Sequence, residues 1–86
     1  MKNDYGIIDP KAVENALMIE KFNDYVIQTI SKGETEFYIY GTDDKRLCQT
    51  LLYLKKDFGF NRRFGDYNFV FQEDEYGEID YIYVSW

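Results

Sequence analysis

Apolar residues recur along the first third of the chain as Ala12, Ile19, Phe22, Val26 and Ile30, and Val13, Leu17, Met18 and Tyr25 widen the stripe. That spacing follows the 3.6-residue period of an amphipathic helix. Asp9-Pro10 stands just ahead of it, an N-cap followed by a first-turn proline. Gly33 stands just beyond it and can take the left-handed conformation that ends helices. The pattern predicts a helix over residues 10–32.

The period then changes from 3.6 to 2. "TEFYIY" (35–40) is a short strand of aromatic and β-branched residues, with Phe37 and Ile39 on one face and Tyr38 and Tyr40 on the other. Gly41 breaks it. Thr42 is the expected cap of a second helix, with Asp43 and Asp44 in its first turn, where the helix dipole favours negative charge. Leu47, Leu51, Leu54 and Phe58 form the buried stripe of that helix, Lys55 and Lys56 occupy its last turn, and Gly59 ends it. Two more strands, "YNFVF" (67–71) and "IDYIYVSW" (79–86), flank the acidic turn "EDEYGE", in which Gly77 is the expected positive-φ residue. Short strands at residues 5–8 and 60–64 are further expectations, the second turning at Gly65-Asp66.

This order, α-β-α-β-β with an extra N-terminal strand at residues 5–8 when that segment pairs, predicts a single α+β domain over residues 1–86. A strand–helix–strand unit crosses right-handed and lays its helix on one sheet face. The expected architecture is a two-layer sandwich, two helices packed on a small mixed β-sheet. Such a sandwich leaves one sheet face uncovered. Placing Phe37, Ile39, Val70, Ile82 and Val84 toward the Leu-rich helices leaves Tyr38, Tyr40, Tyr67, Phe69, Phe71, Tyr81 and Tyr83 outside. An aromatic face of that kind is enriched where proteins meet. A three-layer arrangement, with the first helix sealing those rings, is the alternative.

Composition narrows the function classes. The 86 residues include nine Tyr and seven Phe, too aromatic for a disordered chain. With no histidine and the single Cys48, neither an internal disulfide nor a tetrahedral zinc site of the usual N and S ligands can be assembled. The net charge of −6 opposes direct binding of nucleic acid or anionic lipid and favours a basic partner. No apolar stretch approaches the ~20 residues that span a bilayer. "MKNDYGIIDP" lacks a signal-peptide pattern, and one unpaired cysteine suits a reducing compartment, so a cytoplasmic protein is expected.

No catalytic or cofactor motif is present, and an enzyme is not expected. Cys48 has no histidine to activate it and reads as a small core residue. "YGTDD" places two aspartates where a phosphate turn would need an anion site. "EDEYGEID" lacks the ligand spacing of a calcium loop. "KKDFGFNRRF" (55–64) carries Lys55, Lys56, Arg62 and Arg63 beside aromatics, a pattern able to grip single strands, but the surrounding acid opposes it.

What remains is a surface. Glu73, Asp74, Glu75, Glu78 and Asp80 cluster at the hairpin tip. They either solubilise a turn and discourage strand pairing, or imitate phosphate spacing and steer the chain onto an Arg/Lys patch. The leading expectation is a small acidic interaction protein, an inhibitor or nucleic-acid-mimicking decoy of the kind phages and mobile elements use against nucleic-acid-handling enzymes. The rivals are an assembly protein that homodimerises through its tyrosine face and a binding domain for a small aromatic or nucleotide ligand.

Overall fold

The computed structural model describes residues 8–56, 62 and 64–86. Its elements are α1 (Pro10–Ser31), β1 (Glu36–Tyr40), α2 (Lys45–Lys55), β2 (Asn68–Glu73) and β3 (Ile79–Ser85), a small α+β fold. The sheet order is β1-β3-β2, and both pairings are antiparallel. A mixed sheet was expected because a helical crossover links β1 to β2. Those two strands do run the same way, but β3 returns between them and separates them.

The helix ends follow local chemistry. The Asp9 side chain accepts the Lys11 N–H at 3.0 Å. At the other end the Gly33 N–H reaches back to the Ile30 carbonyl at 2.9 Å and the Glu34 N–H to Thr29 at 3.0 Å. This paired closure needs a left-handed residue after the cap, and Gly33 supplies it at φ +77°. The start of α2 differs from expectation. Thr42 and Asp43 lie in a turn in which the Asp43 and Asp44 N–H groups both donate to the Tyr40 carbonyl. Asp44, not Thr42, is therefore the residue ahead of the helix.

The core is made where both helices meet one sheet face. Phe22, Ile39, Leu47, Leu51, Ile82 and Val84 are fully buried. Phe22 is the contribution of α1: its ring lies 5.8 Å from Phe37, 5.3 Å from Phe64, 5.4 Å from Tyr67 and 5.8 Å from Phe69. Rings at these separations add to the area term, and truncating such a residue costs about 3–5 kcal/mol. Along α1 the buried set is Phe22, Val26 and Thr29, whereas Ala12 and Ile30, expected in the stripe, are exposed. Only part of this long helix lies over the sheet.

The parity of β2 is the main correction. Phe69 pairs with Val84 and Phe71 with Ile82, so both phenylalanines share the helix-facing side with the buried aliphatics. Val70, opposite Tyr83, faces outward and is 50% exposed. Tyr67 also packs against the core, 5.7 Å from the Trp86 ring. Two phenylalanines bury more apolar area than one valine, and Phe22 offers them a ring to pack on.

The three-layer alternative does not hold for the described residues, because Tyr38 and Tyr40 each remain 46% exposed. The strand expected at residues 5–8 lies outside the described residues except for Ile8, which is exposed and not in a strand. Of residues 60–64 only Arg62 and Phe64 are described. Neither belongs to a strand, and Phe64 is part of the core. Phe58 and Gly59, the expected end of the second helix, also lie outside the described residues.

Candidate protein-interaction surface

The outward side of the sheet is a compact tyrosine quartet. Register places Tyr38 opposite Tyr83 and Tyr40 opposite Tyr81. Tyr38 is the hub, its ring 4.9 Å from Tyr83, 5.5 Å from Tyr81 and 5.9 Å from Tyr40. The two β1 rings stack within 12° of parallel. The strands hold these rings in fixed rows, because alternate residues of paired strands meet on one face. Of the seven aromatic residues expected on the open face, Tyr38, Tyr40, Tyr81 and Tyr83 are there. Tyr67, Phe69 and Phe71 are on the core side.

Glu36 borders the quartet at one end. It pairs with Ser85 in register, and its carboxylate accepts the hydroxyl proton of Tyr83. That bond holds the Tyr83 phenol above its ordinary range. The other end of the quartet runs into the hairpin, since Tyr81 is the partner of Gln72 just before the loop.

The loop is shaped by one of its own acids. The Asp74 N–H donates to the Glu78 carbonyl at 2.7 Å, and Asp74 Oδ1 accepts the Tyr76 and Glu78 N–H groups at 2.8 and 3.0 Å. The Gly77 N–H closes on the Asp74 carbonyl at 3.1 Å, with Gly77 at φ +82°. An aspartate at the first turn position and a left-handed glycine after it make a short, well-determined loop. Asp74 is thus a turn-forming residue as well as a tip acid.

All five tip acids are exposed. Glu78 approaches Lys45 of α2 at 3.8 Å, but both side chains are about two-thirds exposed, at 66% and 65%, so the pair contributes little. Among the described residues Glu73, Glu75 and Asp80 form no ion pair. Asp74, Glu78 and Asp80 also border a cleft of about 510 Å³ between the hairpin and α2, with Lys45, Gln49 and Leu52 on its helical wall. The start of β3 is held against the turn after β1 at Gly41, whose N–H donates to the Asp80 carbonyl at 2.9 Å. A Cβ on Gly41 would stand 2.1 Å from the Ile79 carbonyl oxygen, so no other residue fits there without displacing the backbone.

One signal in the sequence bears on this surface and is visible only once the layers are known. The chain has ten Lys and Arg, yet none lies in residues 33–44 or 65–86, the segments that build the sheet and its loops. Of the described cations, Lys21 pairs with Asp44 at 3.0 Å, Arg46 with Glu14 at 2.8 Å, and Lys11 lies over the Tyr53 ring at 4.7 Å, while Lys45 and Lys55 reach the β layer from α2, at Glu78 and over the Phe71 ring. The β layer is accordingly one-signed, and Glu36 belongs to its acidic margin although only the tip residues stood out as a run.

Cys48 is buried, its thiol facing the Ile39 carbonyl at 3.6 Å, and burial together with the nearby Asp44 pushes its pKa up to about 11. Tyr25 is raised as well, first by burial and then by Asp44, whose carboxylate its hydroxyl approaches at 3.5 Å. Among the described residues no group of three potential metal ligands is gathered, and no helix is long and apolar enough to cross a membrane. The chain matches no protein-family model, and no curated protein or solved structure resembles it significantly.

Proposed function

We propose that this chain is a small acidic interaction module that occupies a basic surface on a larger protein, as an inhibitor or nucleic-acid-mimicking decoy. The observation that carries this reading is the β layer itself: an open tyrosine quartet on a layer that contains acids but no lysine or arginine. Carboxylates at the tip and at Glu36 would meet the cations that otherwise hold phosphates, and the rings would supply buried area at the centre. A strand-built face is rigid, so little ordering entropy opposes docking.

Self-association through the same face is the less favoured use. A two-fold axis through the quartet would set each Glu36 and each tip against the acidic layer of a second copy, and like charges disfavour such pairing. The partner that fits is basic, with a nucleic-acid-binding enzyme as the leading class.

The test is capture by the immobilised chain from an extract of its native host, with elution by a short DNA duplex. The proposal expects retention of a basic nucleic-acid-binding protein that the duplex releases. It also expects loss of capture when Glu73, Glu75, Glu78 and Asp80 are changed together to their amides. A stable homodimer with no retained partner would overturn it, as would a partner indifferent to both the duplex and the amide substitutions.

A further inference from the structure

We infer that the tyrosine quartet is an arginine-reading site: it takes guanidinium groups of a basic protein segment against its rings, with Glu36 as their carboxylate partner. This rests on the reading proposed above and specifies the chemistry of its centre.

Tyr38 and Tyr40 offer parallel rings 5.9 Å apart, and Tyr81 and Tyr83 are tilted against Tyr38 by 67° and 51°. The β1 pair is held on an edge strand with nearly half its surface in water. An aromatic face carries negative charge density, and a cation placed over it is attracted. No lysine or arginine of the β layer is available to fill that role from within the chain. Elsewhere in the molecule the same pairing is made internally: Lys11 sits over Tyr53 at 4.7 Å and Lys55 over Phe71 at 4.6 Å. Among the described residues no lysine or arginine stands over a quartet ring.

Glu36 adds direction. One of its oxygens accepts the Tyr83 hydroxyl, which fixes the carboxylate at the rim of the rings. Arginine matches this combination better than lysine. Its planar guanidinium can stack on a ring while donating in its own plane to a carboxylate, whereas an ammonium is a compact, strongly hydrated point charge.

The experiment uses the full chain and two synthetic peptides that differ only in carrying arginine or lysine at every basic position. Affinity is measured by calorimetry, and the tyrosine ring resonances are followed by NMR during titration. The arginine peptide is expected to bind about fivefold tighter, with shifts concentrated on Tyr38, Tyr40, Tyr81 and Tyr83. Tyr38→Val with Tyr83→Val should level the two peptides, and Tyr38→Phe, which keeps the Tyr83–Glu36 bond, should preserve the preference, because the Tyr38 ring and not its hydroxyl receives the cation. Ring shifts in the unaltered chain decide the matter even if the valine variant folds poorly.

Equal affinities, or ring resonances unmoved by the arginine peptide, would overturn the inference. If both peptides then lose binding when the tip acids become amides, the acidic module stands and only its arginine-reading centre falls. If neither peptide binds and the host extract yields no basic partner, both fall.

Discussion

Lys21 Nζ lies 3.0 Å from the carboxylate of Asp44, tying the middle of α1 to the residue that precedes α2. Asp44 is only 7% exposed, whereas half of the lysine side chain remains in water. The carboxylate therefore depends on this contact and on the Tyr25 hydroxyl for compensation of its burial. A helix-layer cation thereby neutralises an acid of the turn between β1 and α2.

Replacing Lys21 by Met leaves that buried acid without its counter-charge. Because the lysine is half exposed, the cost is expected to be about 1–2 kcal/mol, below that of breaking a fully buried pair. Urea unfolding of Lys21→Met, Asp44→Asn and the double variant should give a coupling of about 1 kcal/mol. Additive losses would mean that the two groups do not act together.

The close approach at Gly41 predicts a sharp local penalty. Gly41→Ala places a methyl group where the Ile79 carbonyl oxygen stands, 2.1 Å from the ideal Cβ. The hairpin has to shift, at a cost of about 2 kcal/mol or more, and the melting temperature should fall by roughly 8–16 °C. A melting temperature unchanged by this substitution would contradict the close approach of the turn after β1 to the start of β3.

Side-chain parity along β2 is tested by two neighbours. Phe69→Ala removes a ring from the core cluster and should cost about 3 kcal/mol. Val70→Thr keeps the β-branch on an exposed position and should change stability by less than about 0.5 kcal/mol. The reverse ranking would restore the opposite parity.

That strand also marks the boundary of what the sequence makes legible. The caps of α1 are written locally, in Asp9-Pro10 and Gly33, and the hairpin turn in Asp74 and Gly77, because each depends on a backbone conformation that few residues satisfy. The inward choice of β1 and β3 is equally readable, since Ile39, Ile82 and Val84 alternate with tyrosines that carry hydroxyls. In "NFVF" both parities offer an apolar set, so alternation alone cannot choose. The choice comes from the pairing of Phe69 and Phe71 with Val84 and Ile82, and from the ring of Phe22 on α1. These are long-range facts. The same limit applies to the open sheet face. Its tyrosines on β1 and β3 were identifiable, but its reduction from seven aromatics to four, and the bond from Tyr83 to Glu36, required the register.

Alkaline pH should weaken the fold in a defined window. Cys48 is raised from 9.0 to about 11, by burial first and then by Asp44, and Tyr25 is raised by the same two causes. A group whose folded pKa lies above its unfolded value holds its proton more tightly in the native state. Its stabilisation is complete below the unfolded value and is lost as pH rises through the folded one. Stability should therefore hold to about pH 9 and decline toward pH 11. At pH 8 the native thiol should resist alkylation and react once urea unfolds the chain. Rapid alkylation of the folded protein would show that Cys48 is accessible.

The central claim is that the uncovered tyrosine face meets a basic partner. The most direct measurement places a photo-reactive benzoylphenylalanine at Tyr38, in the hub of the quartet, or at Leu17 on the exposed side of α1, and irradiates the protein in an extract of its native host. The account predicts a cross-link from position 38 to a basic protein, abolished when the extract is brought to high salt before irradiation, and none to that protein from position 17. Cross-links from position 38 only to a second copy of the chain, or to the basic protein only from position 17, would contradict it.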